Sequence, residues 1–475
     1  MKKKLFVIFL FAFLIRLISL NQSLWLDEGT TAKVVQTFSL LDIPTKFSIH
    51  DFHPPLYYIF MKVWTNVFGY TEVALRMPSV IFSLLTGWFV YLIAKKIQKV
   101  DVSLWAVAFF LFNPLIIYYS QEARMYMMST FFVTGSIYFL LNILVHPDIN
   151  VGEYKKLNIK YQNDIAKIKY LFLLGLFMAL SFLTFYGSIF FIASLLIYLF
   201  FKKQYKLVLV LGSTFLVLLL LLAPLLLTQW ANARQMLGVV LNWSQVLGKA
   251  NLKNLALIPL KFMSGRISFE PKTVYYAVCG IWTMMGVSFW FLGGMKNKFL
   301  LYFSFMPLTL GLLASFLTPL LQYFRFLYLL PFVSILMASG VVALCESRYT
   351  KNKDRIIHLQ SLYLSLLSGY IIFSLVYLLI PSFHREDWKS LSFSLSSQQI
   401  YGIPSSLDAL RYYAPSVNMI DIRSIDTKKV KDKEILVVSY TFDIYGIDSK
   451  SKLYPFTLSS TSEFRGVTYQ LWTNK

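Results

Sequence analysis

The chain has 475 residues, 57% of them hydrophobic and only 14% charged, with a mean hydropathy of +0.60; a soluble protein of this size cannot hide that much apolar surface, so the sequence describes a polytopic membrane protein. Its 45 Lys and Arg against 23 Asp and Glu give a formal charge of +22. The basic residues fall mainly in short clusters between apolar runs, as cytoplasmic loops do, so membrane topology accounts for the charge and no nucleic-acid partner is implied. Cys279 and Cys345 lie in or at the end of apolar runs and the polar tail has no cysteine, which leaves no disulfide framework to argue.

The first segment, "MKKKLFVIFLFAFLIRLISL", has a basic start like a signal peptide, but no small-residue cleavage site follows, so a retained first helix is expected. Crossing a bilayer core takes roughly 20 apolar residues as helix. Such runs occur near 4–20, 78–95, 102–120, 125–145, 170–186, 187–201, 206–227, 273–293, 299–317, 326–345 and 361–380, which predicts about eleven spans. The connectors "AKKIQK", "EYKKLNIKYQNDIAKIK", "FKKQYK", "MKNK" and "ESRYTKNKDR" are basic and alternate with longer or mixed-charge ones. Positive-inside then puts the N-terminus in the cytoplasm, and the odd count puts the first loop, 21–77, and the tail, 382–475, outside a cytoplasmic membrane.

Within the outer loop, "TTAKVVQTFSLL" and "PPLYYIFMKVWTNVFG" carry apolar residues at helical spacing but are too short or too polar to cross, so they predict helices lying along the interface. A second outer connector, 228–272, contains "NLKNLALIPLKFM" of the same character. The tail mixes strand-like "QQIYGI", "EILVVSYTF" and "GVTYQLW" with helix-like "SSLDALRYYA", which predicts a small α/β domain. The expected division is a transmembrane domain over 1–381 and an extracytoplasmic domain over 382–475.

Charged residues gather on the predicted outer side. "SLWLDEGTTA" sets Asp27 and Glu28 directly behind the first span, either as a dipole-favoured acid pair opening a helix or as catalytic carboxylates. "HDFHPPLYY" adds His50, Asp51 and His53 before a Pro-fixed helix start. "NPLIIYYSQEARMY" supplies Glu122, Arg124 and Tyr126; two residues apart on a helix, Glu122 and Arg124 do not face each other, whereas Glu122 and Tyr126 do. Charges at membrane depth are costly enough to suggest function. Arg76, Arg124, Arg234, Arg266 and Arg325 stand on the side that positive-inside should deplete, as arginines holding a phosphate would. Of these Arg325, in "LLQYFRFLYLLP", is the leading candidate, against snorkelling to headgroups; Arg16, inside the first span, is expected to snorkel. A carboxylate to take an acceptor's proton and a cation to steady a departing phosphate are the minimum kit for displacement at an anomeric carbon, so the set suits a lipid-phosphate sugar donor.

At these residues the sequence resembles the GT-C superfamily of polytopic glycosyltransferases, specifically the bacterial protein O-mannosyltransferase and aminoarabinose-transferase type, glycosyltransferase family 39-like. "LWLDEG", "HPPLYY", "ALRMPS", "YSQEARMY", "FRFLYLLP" and "REDWK" match in order and in predicted side over about the first 390 residues. The resemblance implies a GT-C fold and inverting transfer from a polyprenyl-phosphate sugar to an acceptor that could be lipid, glycan or protein. It implies Asp27 as catalytic base with Glu28 beside it, His53, Glu122, Arg124 and Tyr126 at the substrate, and Arg325 toward the donor phosphate. Phe326 stands where relatives are expected to have Tyr, and the outer loop has no D-x-D, so a divalent metal is left open rather than expected. A transporter or flippase of lipid-linked sugars is the competing class, but it should carry broken helices and ionisable sites near the midplane and internal repeats.

Overall fold

The computed structural model describes residues 2–144, 164–240, 242–348, 352–395 and 399–474. In chain order its helices are α1 (Lys2–Leu17), α2 (Leu26–Thr37), α3 (Leu56–Phe68), α4 (Glu72–Ile97), α5 (Val100–Leu111), α6 (Pro114–Ser120), α7 (Tyr126–Ile143), α8 (Asp164–Thr184), α9 (Ile189–Phe201), α10 (Tyr205–Val239), α11 (Trp243–Leu247), α12 (Leu252–Ser264), α13 (Lys272–Lys296), α14 (Lys298–Ser315), α15 (Leu330–Arg348), α16 (Asn352–Leu379) and α17 (Trp388–Phe393). The tail continues with β1 (Gln399–Gly402), α18 (Asp408–Tyr413), β2 (Asn418–Asp421), β3 (Glu434–Val438), α19 (Phe442–Tyr445), α20 (Ser449–Leu453), β4 (Thr457–Phe464) and β5 (Val467–Thr473).

Each of the eleven apolar runs read from the sequence forms helix. Among the described residues eight helices are long and apolar enough to cross a membrane, and α5 with α6 make a ninth as a pair bent by 56°. The bend follows from the sequence: Asn113 caps α6, its side chain accepting from the Leu115 and Ile116 N–H groups, and Pro114 at the first helical position lacks the donor that would continue α5. The 16-residue α1 and the apolar stretch Tyr186–Phe201 are shorter. One boundary differs from expectation. The run at 206–227 was expected to give way to a connector, yet α10 continues to Val239 over 35 residues, roughly 50 Å at the helical rise, because "TQWANARQMLG" has no glycine or proline until Gly238 to stop it. The basic connector residues 153–163 and 349–351 lie outside the described residues.

The chain forms two compact units. The helical unit comprises residues 1–19, 77–224 and 248–383. Its tightest helix pairing is α13 with α15, where a Cβ on Gly293 would strike the Leu336 carbonyl and one on Gly340 the Phe289 carbonyl; small residues let helix backbones approach where lipid gives no hydrophobic drive. Arg16 departs from the snorkelling expected of it. It is 0% exposed, and its guanidinium donates to Ser83 Oγ at 2.9 Å, the Ala12 carbonyl at 2.6 Å and the Leu111 carbonyl at 2.8 Å. In hydrocarbon a five-donor fork is stabilised best by several fixed acceptors, and the carbonyl freed at the α5 break is one of them.

The second unit comprises residues 20–76, 225–247 and 384–475, so the first loop and the tail belong to one compact body. Its sheet has the order β2-β1-β3-β5-β4, with β1 parallel to both β2 and β3, and β5 antiparallel to β3 and β4. Alternation along the central strands fills both faces: Ile400 and Val438 join Trp388, Leu407 and Leu410 on one, while Tyr401, Ile435 and Val437 join Phe442 and Trp472 on the other. Strands β2 and β4 were not read from the sequence. "NMID" is a four-residue edge and "TLSSTSEF" is polar and mostly exposed, so neither shows a buried period. Helices α2, α3 and α12 occupy the segments expected to lie along the interface; α3 turns Tyr57, Tyr58, Met61 and Thr65 inward and leaves Val63, Val67 and Phe68 exposed.

Candidate functional site

Of the seven residues expected at a site, Asp27, Glu28 and His53 fall in the loop-and-tail unit and Glu122, Arg124, Tyr126 and Arg325 in the helical unit. Asp27 and Glu28 sit in the first turn of α2, at the positive end of its dipole. Their environments are opposite. Glu28 is 0% exposed, and its carboxylate accepts from Arg76 Nε at 2.8 Å, Arg76 Nη2 at 2.5 Å and the Trp25 N–H at 3.3 Å. Arg76, 1% exposed, spends its remaining donors on the carbonyls of Leu20, Gln22 and Ser23. One outer arginine is thereby committed to a bidentate clamp and not to a ligand. Asp27 is half-buried one residue earlier, and its carbonyl accepts from Thr31 Oγ1. The pair reads as a division of labour: Glu28 fixes the turn, and Asp27 holds the half-buried position before it.

In the same unit His53 Nδ1 lies 3.3 Å from both oxygens of Asp51, a contact that orients the ring. Its carbonyl is held by Gln229 Nε2 at 3.2 Å, and Asn232 Nδ2 donates to the Ile49 carbonyl, so the extended part of α10 braces the 48–53 turn. Arg234 lies on that extension with its guanidinium 4.0 Å from the Trp230 ring.

In the helical unit the "SQEAR" turn between α6 and α7 is buried. Ser79 Oγ donates to the Glu122 and Arg124 carbonyls and fixes the turn from α4. The Glu122 carboxylate has Arg266 Nη1 at 3.9 Å, and Arg266 donates to Tyr118 Oη at 2.7 Å while its guanidinium lies 5.1 Å from that ring. Burial opposes the charge on Arg266, but Tyr118, Tyr323, Tyr119 and Glu122 around it hold its pKa above the usual arginine value. The Tyr126 ring packs on Tyr119, Phe185 and Phe324 at 5.2, 5.8 and 5.4 Å. Arg325 follows Phe324, half-buried, with Nη1 donating to the Pro319 carbonyl at 3.3 Å.

Several neighbours were not singled out from the sequence. Tyr118 links Arg266 to α6; in "IIYYS" it reads as one more apolar residue. Lys261 is buried on α12 and donates to the carbonyl of Ile267, the residue after Arg266, and to Tyr275 Oη. Burial, then Arg266, pull its pKa down to about 8. Tyr413 and Asp408 of the tail touch the Asp27 segment, a long-range pairing with no local signal. Among the described residues no three His, Cys, Asp or Glu side chains are grouped as a metal-ligating set.

A family model described as dolichyl-phosphate-mannose-protein mannosyltransferase matches residues 52–151. No curated protein sequence matches the chain. Among solved structures, ArnT from Cupriavidus metallidurans, in the apo state and bound to undecaprenyl phosphate, superposes with a TM-score of 0.57 at 11% identity over 98% of this chain and 97% of that one. The archaeal oligosaccharyltransferase AglB from Archaeoglobus fulgidus, in complex with an inhibitory peptide and a dolichol-phosphate, gives 0.54 at 12% identity over 92% of this chain and 70% of that one. With its helical body, its loop acids and its small C-terminal sheet, the chain has the GT-C fold, the fold of the polytopic membrane glycosyltransferase superfamily that its motifs resemble.

Proposed function

We propose that the chain is a membrane glycosyltransferase that moves a sugar from a polyprenyl-phosphate donor to an acceptor on the outer face of the cytoplasmic membrane. What supports this most is the GT-C fold along 98% of the chain, shared with a protein crystallised on undecaprenyl phosphate, together with an acid held at a clamped helix start. Asp27 takes the proton of the acceptor's nucleophilic group as that group attacks the anomeric carbon. The sugar–phosphate bond breaks with its electron pair on the phosphate oxygen, releasing polyprenyl phosphate and inverting the anomeric centre. Arginine forks meet the charge that develops on the leaving phosphate. Arg325 and Arg266, the helical unit's candidates, carry that role, while Arg76 is committed to both oxygens of Glu28. Glu122 steadies Arg266, and His53, Arg124 and Tyr126 shape the sugar and headgroup contacts.

The test uses the purified full chain in vesicles with undecaprenyl-phosphate-linked mannose, glucose and aminoarabinose, scoring release of undecaprenyl phosphate and the anomeric configuration of the product. Release with inversion is expected. Movement of an intact lipid-linked sugar across the vesicle wall, with no cleavage of the sugar–phosphate bond, would instead make the chain a transporter.

A further inference from the structure

Helix α2 is held from the tail at its start and along its first two turns. At its start, the Arg385 guanidinium lies 3.6 Å from the Trp25 ring, the Leu24 N–H donates to Tyr413 Oη at 2.8 Å, and the Lys389 N–H donates to Ser23 Oγ at 3.2 Å. One turn on, a Cβ at Gly29 would collide with the backbone N and Cα of Ala409, so α2 and α18 touch backbone to backbone and only glycine fits. Beyond that contact, Asp408, 4% exposed, accepts from Thr30 Oγ1 at 3.2 Å and Lys33 Nζ at 3.0 Å, with Arg411 Nη1 at 3.4 Å. The tail also reaches the far end of the loop: Tyr413 Oη donates to Glu72 at 3.2 Å, Lys389 Nζ to the same oxygen at 3.0 Å, and Tyr412 Oη to the Tyr70 carbonyl at 2.8 Å.

We infer that Asp408 and Tyr413 are positioning residues for Asp27, and that the C-terminal domain is a brace for the loop helix. The inference rests on Asp27 as the base. A nearly buried carboxylate that gathers two cations and a hydroxyl from two helices is a poor surface feature and a good lock, since removing its charge leaves cations without their partner. A base must be held to a fraction of an ångström, and a 1 Å misplacement costs about 100-fold in rate. The contacts above fall on residues to either side of Asp27, at 23–25 and at 29–33.

The experiment compares Asp408→Asn, Tyr413→Phe, Lys33→Ala, Lys33→Arg and Asp27→Asn in the full-length protein. It reads release of undecaprenyl phosphate from the three lipid-linked sugars above, and amide hydrogen exchange along 26–37. Asp408→Asn and Lys33→Ala should each lower kcat by about 10- to 100-fold with the donor KM within twofold, and speed exchange in α2 but not in α3. Lys33→Arg should restore most of the loss, and Lys33→Ala combined with Asp408→Asn should be no worse than Asp408→Asn alone. Unchanged kcat in Asp408→Asn and Tyr413→Phe, alongside an inactive Asp27→Asn, overturns the brace and leaves the base standing. An active Asp27→Asn overturns the base, and the brace as a catalytic device with it.

Discussion

Arg76 grips both carboxylate oxygens of Glu28 while its other donors reach the carbonyls of Leu20, Gln22 and Ser23, so one guanidinium ties the start of α4 to the first turn of α2 and to the segment that leads into it. That is why two adjacent acids have different fates. Position 28 faces the clamp, and position 27 lies about a hundred degrees round the helix from it.

Breaking the clamp should be a folding defect first. Glu28→Gln keeps the volume and removes the charge, leaving Arg76 buried without its counter-ion, which costs about 3–5 kcal/mol. Arg76→Lys loses the fork that reaches five acceptors and should cost a similar amount. Thermal unfolding of the detergent-purified chain reads the loss. A Glu28→Gln protein that melts with wild type but has no turnover would make Glu28 a catalytic residue and not a clamp.

Much of this arrangement was legible in the sequence, and what was not has a common cause. Apolar period and length locate the helices, and Asn113-Pro114 announces the bend in the middle of one. Alternation in "EILVV" locates a strand buried on both faces. Nothing local, however, distinguishes Glu28 from Asp27, because the distinction lies in Arg76, 48 residues away. Arg16 misled for the same reason. An arginine near a helix end ordinarily snorkels, and only the pairing of α1 with α4 and the broken α5 supplies the acceptors that bury it. Gly29 is a partial exception: a glycine inside an otherwise regular helix marks a close approach, but the sequence does not say that the neighbour is Ala409.

Lys261 carries a pH signature. With its pKa pulled from 10.5 to about 8 by burial and by Arg266, its charge costs the folded state stability at pH below about 8. The cost fades as pH rises from 8 toward the unfolded value, since the unfolded chain binds more protons across that interval. On the order of 3 kcal/mol is at stake, from 1.36 kcal/mol per pH unit. Stability should therefore rise between pH 7.5 and 9.5 relative to Lys261→Met, whose melting point lacks this slope. Parallel curves for the two proteins would mean that Lys261 keeps an ordinary pKa.

The phosphate role of the two helical-unit arginines separates by charge and shape. Arg325→Lys and Arg266→Lys keep one positive charge and lose the planar fork, so each should weaken binding of undecaprenyl phosphate by about tenfold or more, the worth of one charge-assisted hydrogen bond. The melting point should move little. Binding by Arg325→Ala equal to wild type would leave Arg325 a snorkelling residue and throw the role onto Arg266.

Asp27 is the decisive residue. The clamp at Glu28 fixes the turn, the tail fixes the helix from the other side, and between them Asp27 is left half-buried in the first turn of α2. Asp27→Asn is nearly isosteric, keeps the helix start and abolishes the base. It should cut release of undecaprenyl phosphate by roughly 100-fold or more, the scale of general-base catalysis, while the melting point and the affinity for undecaprenyl phosphate stay at wild type. Asp27→Glu keeps the carboxylate but moves it by a methylene, so it should retain more turnover than Asp27→Asn and less than wild type. The contrast with position 28 is the sharper test: Glu28→Gln should lose stability and turnover together, Asp27→Asn turnover alone. Should Asp27→Asn turn over lipid-linked sugar at the wild-type rate, the acid at 27 is a helix-start feature and the base must be sought elsewhere in the chain.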